Sequence, residues 1–597
     1  MGGESPSFGA RRHANGVYFS VPGPRARSCA VRLYVPDLQT SRDAPMVRTS
    51  AGVFELDVPD VGGGARYRYV IDGEEAGDPY ARFLPDGVLQ PASIESLAYE
   101  WRHGALGSLS SSGDMPIYEI HIGTFTPDGT YRAATRHLRD LAELGVRAVE
   151  LMPLAAFAGR RGWGYDGVAH YAPFASYGTR EDLAAFIDEA HGVGLRVVLD
   201  VVYNHFGPAG NYLRRFVPDA FTTKFASPWG EAPDFSNALL RDYVLGNVRY
   251  WLRDFRFDGL RLDATHTLHD ESETHVLREI ARIAHTSAPR RFVIAEDERN
   301  DPSLVRDENL DAIWADDFHH AIHVALTHER DGYYRAYTGR ASEVARTIQR
   351  GWLYCGEVYP PSGKPRGQPA PDLDASAFAY CIQNHDQVGN RAVGERLSKL
   401  TDADGFAAAS LVLLLLPMTP ILFMGQEWAA TSPFLFFTDH EADLGRKITE
   451  GRRKEFAHFE AFGASTKTDV PDPQLESTFR KSVLDWSERA LAPHARMRSL
   501  YGVLLQLRRA DVVFRERSRA GMNAWDQGDL LIVDRSAGNA SRRVIANFTS
   551  APRPLDGLTR GYRLQLASSA LSWPTPLLPP HTALLLANDA SGQETSP

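Results

Sequence analysis

FDGLRLDATH, residues 257–266, is the stretch on which the reading of this chain turns. A short apolar run carries Arg261 and Asp263 at alternate positions and ends at His266. In an extended strand, side chains two apart share a face. A guanidinium and a carboxylate would then be buried together. Such a pair is costly to desolvate and adds little stability by itself. Its purpose has to come from the rest of the chain.

On either side of this stretch the pattern repeats. IYEIHI, AVELMP, LRVVLDVV, GLRLD, FVIAE, LDAIWADD, SAFAYCIQ and PILFMG are short apolar runs, and helical patterns such as TRHLRDLAELG and EDLAAFIDEAHGVG fall between them. Strands alternating with helices indicate a parallel α/β fold. Eight such units over nearly 400 residues favour a (β/α)₈ TIM barrel with loop insertions. No glycine-rich dinucleotide fingerprint follows the first strand, which counts against an open doubly wound sheet. The flanks read as all-β. VYFSV, AVRLYV, FELDV and YRYVIDG precede the barrel, and LLIVD, RVIANF, YRLQL and HTALLLA follow it. The expectation is a multidomain chain: an N-terminal β-sandwich over 1–107, a barrel over 108–510 and a C-terminal antiparallel β-sandwich over 511–597. SLSSSGD (108–114) reads as a linker and NDASGQETSP as a frayed tail. Tyr67, Tyr69 and Tyr80 in the first domain read more readily as core than as a sugar platform.

Composition narrows the function. The 597 residues are 43% apolar and 23% charged, with a net charge of -10 and no concentrated basic stretch. Nucleic acid and anionic membrane are therefore unfavoured partners. Cys29, Cys355 and Cys381 form neither a disulfide framework nor a CxxC pair. The N-terminus lacks the apolar core of a signal peptide. LVLLLLPMTPILFM (411–424) is too short to span a bilayer and contains Pro417 and Pro420, so it reads as a buried helix followed by a buried strand. A cytoplasmic protein is expected.

In a barrel, chemistry gathers at the C-terminal ends of the strands. There the third strand ends with Asp200, Asn204 and His205, and the fourth with Arg261, Asp263 and His266. The fifth ends at Glu296, the sixth in WADDFHH (Asp316, Asp317, Phe318, His319, His320), and the seventh in QNHDQ (His385, Asp386, Gln387). Taken singly, an Asp after a strand is a helix cap and a His a structural side chain. Independent caps would not converge on one rim in this way. Asp263 and Glu296 lie 33 residues apart, one helix-plus-strand unit, which makes them neighbours. Two carboxyls flanking one bond are the minimal apparatus of glycoside hydrolysis. Arg261 favours an ionised, nucleophilic Asp263. Glu296, ending an apolar run, suits the acid role. Asp200, Asn204, His205, Asp316 and Asp317 include metal-ligand types, but no HExxH, EF-hand or Cys/His spacing accompanies them. No metal and no cofactor are expected.

At these motifs the chain resembles the α-amylase family of glycoside hydrolases. DVVYNH, GLRLDATH, IAEDE and QNHDQ match its four signature regions in order, and the likeness extends over essentially the whole chain. The resemblance implies Asp263 as nucleophile, Glu296 as general acid/base and Asp386 as transition-state stabiliser. It also implies His205 and His385 as sugar contacts, Arg261 orienting the nucleophile, and Tyr165 of GWGYDG as an aromatic platform. Asn204 matches a calcium ligand of some amylases, without a clear accompanying set. Within the family, IAEDERND, WADDFHHAIH, FMGQEW, PFLFFTDH and SVLDW resemble the maltooligosyltrehalose trehalohydrolases more than the glycogen branching enzymes. The implied substrate is maltooligosyltrehalose or a related α-glucan, and the implied functional partner a maltooligosyltrehalose synthase. WADDFHH is the expected lining of the leaving-side subsites, since polar groups that pair with specific hydroxyls reject ligands lacking them. Glu427 and Trp428 are weaker candidates, and His266 is expected to face the sugar rim. A branching transglycosylase and a non-catalytic glucan-binding protein are the competing readings.

Overall fold

The computed structural model describes residues 8–34, 40–94, 99–108, 115–456 and 470–589. Most of the expected linker, and the tail beyond Asp589, lie outside the described residues. The eight expected runs form a closed parallel barrel: β1 (Ile117–Ile120), β2 (Ala148–Leu151), β3 (Arg196–Val201), β4 (Gly259–Leu262), β5 (Phe292–Glu296), β6 (Ala312–Trp314), β7 (Phe378–Tyr380) and β8 (Thr419–Phe423). β1 pairs with both β2 and β8, which closes the ring.

Alternation along these strands sorts the side chains. Ile117, Ala148, Val198, Phe292, Ile294, Ala312, Trp314, Ala379 and Ile421 form one buried cluster, the packed interior of the barrel. The intervening residues, such as Val149, Val197, Leu260 and Val293, join the outer core under the helices. Gly259 is needed at the mouth of β4, because a Cβ there would meet the Phe292 ring at 2.6 Å. The helices are cut by local signals. Thr179 and Asp182 form a reciprocal capping box at the start of Arg180–Gly192, and Asn237 caps Ala238–Arg249. The apolar run 411–424 resolves, as expected, into the end of helix Ala403–Leu415 and strand β8.

The N-terminal strands form two antiparallel sheets. In one, Cys29–Tyr34 and Arg66–Ile71 bury alternate residues. Tyr67, Tyr69 and Tyr80 are core, at 1%, 0% and 2% exposure, and they join the module to the barrel. Tyr69 meets Phe216 edge-on at 5.6 Å between ring centroids, and Tyr80 packs on Tyr171 and Tyr243. The C-terminal residues form a five-stranded antiparallel sheet, Met522–Gln527 to Thr582–Asp589, with a separate two-stranded ladder. That sheet rests on helices Ala341–Arg350 and Ala403–Leu415. Among the described residues no helix is long and apolar enough to cross a membrane, and all three cysteines are free.

Candidate active site

Inward-pointing positions at the upper ends of the strands bring the polar groups together. Asp200 on β3 and Arg261 on β4 are register partners. Arg261 is fully buried and its guanidinium is shared among three carboxylates. Nη1 donates to both oxygens of Asp200 at 2.8 Å and to Asp263 Oδ1 at 3.1 Å. Nη2 lies 2.8 Å from Glu296 Oε2. The face of Trp314 on β6 supports the guanidinium from 4.5 Å, a contact that strengthens when desolvated.

Beyond β4 the chain turns sharply at Ala264, which takes the left-handed conformation with φ of 39°. That turn aims the Ala264 N–H at Glu296 Oε2, 2.9 Å away. Left-handed backbone costs a non-glycine residue about 1–2 kcal/mol, and such strain clusters at functional sites. Asp263 also accepts from Asn204 Nδ2 at 2.8 Å. The Asn204 carbonyl meets His205 Nδ1, and the other His205 ring nitrogen meets the Tyr165 carbonyl at 2.7 Å. On the far side, Asn384 caps the short helix His385–Gly389, taking the Asp386 and Gln387 N–H groups. Gln387 is buried, and its Oε1 has no hydrogen-bond partner.

Burial sets the charge pattern. It pushes Asp200 up to about 7, against the pull of Arg261. Asp386 is also raised, chiefly by burial, with His385 opposing and Glu296 adding through charge and a hydrogen bond. Asp316 is pushed up to about 7 by burial, with help from Glu296 and Asp386. Glu296, expected to take the acid role because it ends an apolar run, meets donors at its carboxyl: Arg261 Nη2 and the Ala264 N–H.

A cleft of about 290 Å³ opens over Asp263, Asp386, His385, His205 and Tyr165. Its far wall comes from chain segments distant in sequence: Trp163 and Asp166 after β2, Trp229 after β3, and Phe436, Thr438 and His440 after β8. Tyr165 lies on this wall with its ring stacked on His385 at 5.2 Å. His266 stands elsewhere on the rim, its Nε2 3.8 Å from Glu298, and does not line this cleft.

WADDFHH requires correction. It is the start of a helix, Asp316–Thr327, so successive residues fan around an axis by about 100°. Asp316 and His320, four apart, share a face, and the residues between them are sent elsewhere by their own contacts. Asp317 points into the wall, where its carboxylate accepts from Asn300, the Leu353 and Tyr354 N–H groups and Tyr337. Phe318 stacks on Tyr380, and His319 is held between the Ile382 carbonyl and the Tyr334 hydroxyl. Those three are structural, and His320, only 7% exposed, bonds the Tyr337 hydroxyl. Arg261, expected to contact substrate, is fully buried and its guanidinium is taken up by Asp200, Asp263 and Glu296. Glu427 and Trp428 are buried in the core, with Glu427 taking the Tyr118 hydroxyl.

Two buried carboxylates escape the motif reading. Glu119 on β1 and Glu150 on β2 are register partners inside the barrel, both fully buried. The signal was a carboxylate inside IYEI and AVEL, at the parity of inward-facing Ile117 and Ala148. Trp163 and Trp229 were missed as well, because their loops are placed only by the folded barrel.

Known proteins place the chain in one family. A model of the alpha-amylase catalytic domain matches residues 97–226, and one of carbohydrate-binding module 48 (isoamylase N-terminal domain) matches residues 7–86. A malto-oligosyltrehalose trehalohydrolase of Deinococcus radiodurans is 49% identical over 536 residues, 89% of this chain and 88% of its own. One from Saccharolobus solfataricus is 39% identical over 490 residues, 80% of this chain and 84% of its own. A 1,4-alpha-glucan branching enzyme of Nocardia farcinica is 30% identical over 335 residues, covering 49% of this chain and 44% of its own. A crystal structure of a Salmonella typhimurium protein assigned to the alpha amylases superposes with a TM-score of 0.89 at 36% identity, covering 98% and 99% of the two chains. The chain belongs to the malto-oligosyltrehalose trehalohydrolases, a branch of the alpha-amylase family of glycoside hydrolases.

Proposed function

We propose that the chain hydrolyses the α-1,4 bond next to the terminal trehalose of maltooligosyltrehalose, with retention, releasing trehalose and a maltooligosaccharide. The observation that carries the mechanism is the single guanidinium of Arg261 paired to both Asp263 and Glu296. It keeps the two carboxyls close, as a covalent glycosyl-enzyme route requires. Asp263, oriented by Arg261 and Asn204, attacks the anomeric carbon. Glu296 gives its proton to the departing oxygen, and the bond to trehalose breaks. Asp386, hydrogen-bonded to Glu296, stands beside it and stabilises the positive charge that develops on the sugar as the bond breaks. Water then replaces the enzyme ester as Glu296 takes back a proton. His205, His385 and Tyr165 bind the sugar at the point of cleavage, with Gln387 offering its free carbonyl. Asp316 and His320 face the leaving side, and His266 meets longer ligands on the rim.

The substrate's α,α-1,1 end must come from an enzyme that rearranges a reducing-end α-1,4 linkage, the role of a maltooligosyltrehalose synthase. The three free cysteines suit a reducing, cytoplasmic setting. The test is chromatography of products from maltopentaosyl trehalose. Trehalose with a shortened maltooligosaccharide is expected, and Asp263→Ala or Glu296→Gln should nearly abolish it. New α-1,6 linkages from amylose without trehalose release would replace this reading with a branching one.

A further inference from the structure

The hydroxyl of Tyr165 stands between two acceptor-capable atoms, Asp200 Oδ2 at 2.6 Å and His385 Nε2 at 2.7 Å. A phenol carries one proton, so it donates to one of them only. Both oxygens of Asp200 accept from Arg261 Nη1, which marks Asp200 as the carboxylate that takes the phenol proton. The phenol oxygen is then left to accept, and His385 Nε2 has to carry a hydrogen. At the other side of the ring, Nδ1 meets Glu119 Oε1, while the His385 backbone N–H donates to Glu119 Oε2 at 3.0 Å. Both ring nitrogens therefore face acceptors, the pattern of an imidazolium.

We propose that Glu119 is a positioning residue for the reaction: it clamps His385 from below and fixes the ring as a doubly protonated donor in the sugar-binding cleft. This rests on the hydrolase reading above. The charged ring then donates from Nε2 to the Tyr165 oxygen and holds that phenol at the cleft wall, and its charge, opposing burial, favours an ionised Asp386 3.5 Å away. With Glu119 made neutral, the ring would keep a hydrogen on Nδ1 alone and turn Nε2 into an acceptor.

The surroundings of His385 are accounted for strand by strand. Glu119 faces it from β1, Glu150 from β2, Tyr165 from the loop after β2, Asp200 from β3, Arg261 from β4, and Asp386 from its own turn. The rings of Trp163 and Trp314 close the sides. Burial pushes Glu150 well up, aided by Glu119 and Asp200, and pushes His121 down to about 4. Both shifts favour the uncharged forms. Burial also works against a charged His385, but Asp386 and Glu119 outweigh it and push the ring up to about 10.

The experiment is a pH titration of protein labelled with [13Cε1]histidine, with His385→Gln to assign the signal. The His385 resonance of the unaltered protein should stay at the imidazolium position through about pH 9. In Glu119→Gln it should titrate roughly one to three units lower, the shift that an adjacent opposite charge supports. The alkaline limb of kcat for trehalose release should move down by the same amount, and Glu119→Asp should restore part of it. A neutral imidazole at pH 7 in the unaltered protein, as when the proton sits on Asp200, overturns the proposal. So does a Glu119→Gln variant whose titration is unmoved, or one that loses activity equally at every pH. The titration needs no substrate. Absence of trehalose release by the unaltered protein would therefore remove the hydrolase reading while Glu119 is still judged by the resonance.

Discussion

Replacing Glu150 by Gln isolates the energetic cost of a neutral carboxyl inside the barrel. Glu150 is fully buried, neither of its oxygens has a hydrogen-bond partner, and Glu119 is its register neighbour. Burial, followed by Glu119 and Asp200, raises it well above its ordinary value of 4.5. The folded protein thus holds this proton more tightly than the unfolded chain does. The stabilisation that comes with a raised value is complete below pH 4.5 and is lost as pH rises toward the folded value, because the unfolded state binds fewer protons there. The loss accumulates at up to about 1.4 kcal/mol per pH unit wherever the unfolded chain has released the proton and the folded protein has not. Gln has the same shape and no proton to lose. Relative to the unaltered protein, Glu150→Gln should therefore gain stability as pH rises above 4.5, at up to about 1.4 kcal/mol per unit. Urea unfolding followed by tryptophan fluorescence across that range reads the difference, since Trp314 sits in the barrel interior. A difference between the two proteins that stays constant with pH, or moves against the variant as pH rises, would refute the reasoning.

Three further perturbations test other parts of the molecule. Tyr165→Phe removes the hydroxyl shared by Asp200 and His385; at about 1.5–3 kcal/mol for a bond to a charged group, kcat for trehalose release should fall about 10- to 100-fold. Asp316→Asn removes a group that burial, Glu296 and Asp386 push up to about 7. As pH rises through 7 the unaltered cleft gains a negative charge, so the variant should show a flatter kcat/KM profile above neutrality, and an unchanged profile would count against Asp316 facing the site. Tyr80→Ala empties a side chain packed between Tyr171 and Tyr243; by analogy with other large aromatic truncations it should cost about 3–5 kcal/mol, seen as faster proteolysis of the N-terminal module.

The barrel was legible because eight apolar runs of strand length alternate with helical periods, and the reactive groups because they end those runs. Asp263, Glu296 and Asp386 needed only a strand number and a parity to be placed on one rim. WADDFHH was misread for a physical reason. A polar run after a strand gives no sign of whether it continues extended or coils at once, and helix formation from Asp316 sends Asp317, Phe318 and His319 into the wall. Glu119 and Glu150 were visible as letters but not as a pair, because only register between β1 and β2 sets them opposite one another. Trp163, Trp229 and His440 belong to three separate loops, and no periodicity along the chain relates them. Arg261 was seen correctly beside Asp263, but its sharing with Asp200 and Glu296 depends on neighbouring strands.

The pairing of β1 with β8 also sets a schedule for synthesis. Glu119 is the register partner of Phe423, 304 positions later in the chain (423 − 119). At 5–20 residues per second a ribosome takes about 15–60 s to cover that distance. Throughout that interval one side of β1 is an open edge, the kind of surface that recruits foreign strands. Only the arrival of the eighth strand seals the ring. Inward-pointing charges on open edges disfavour pairing with foreign strands, and Glu119 places one on β1 for the whole of that wait.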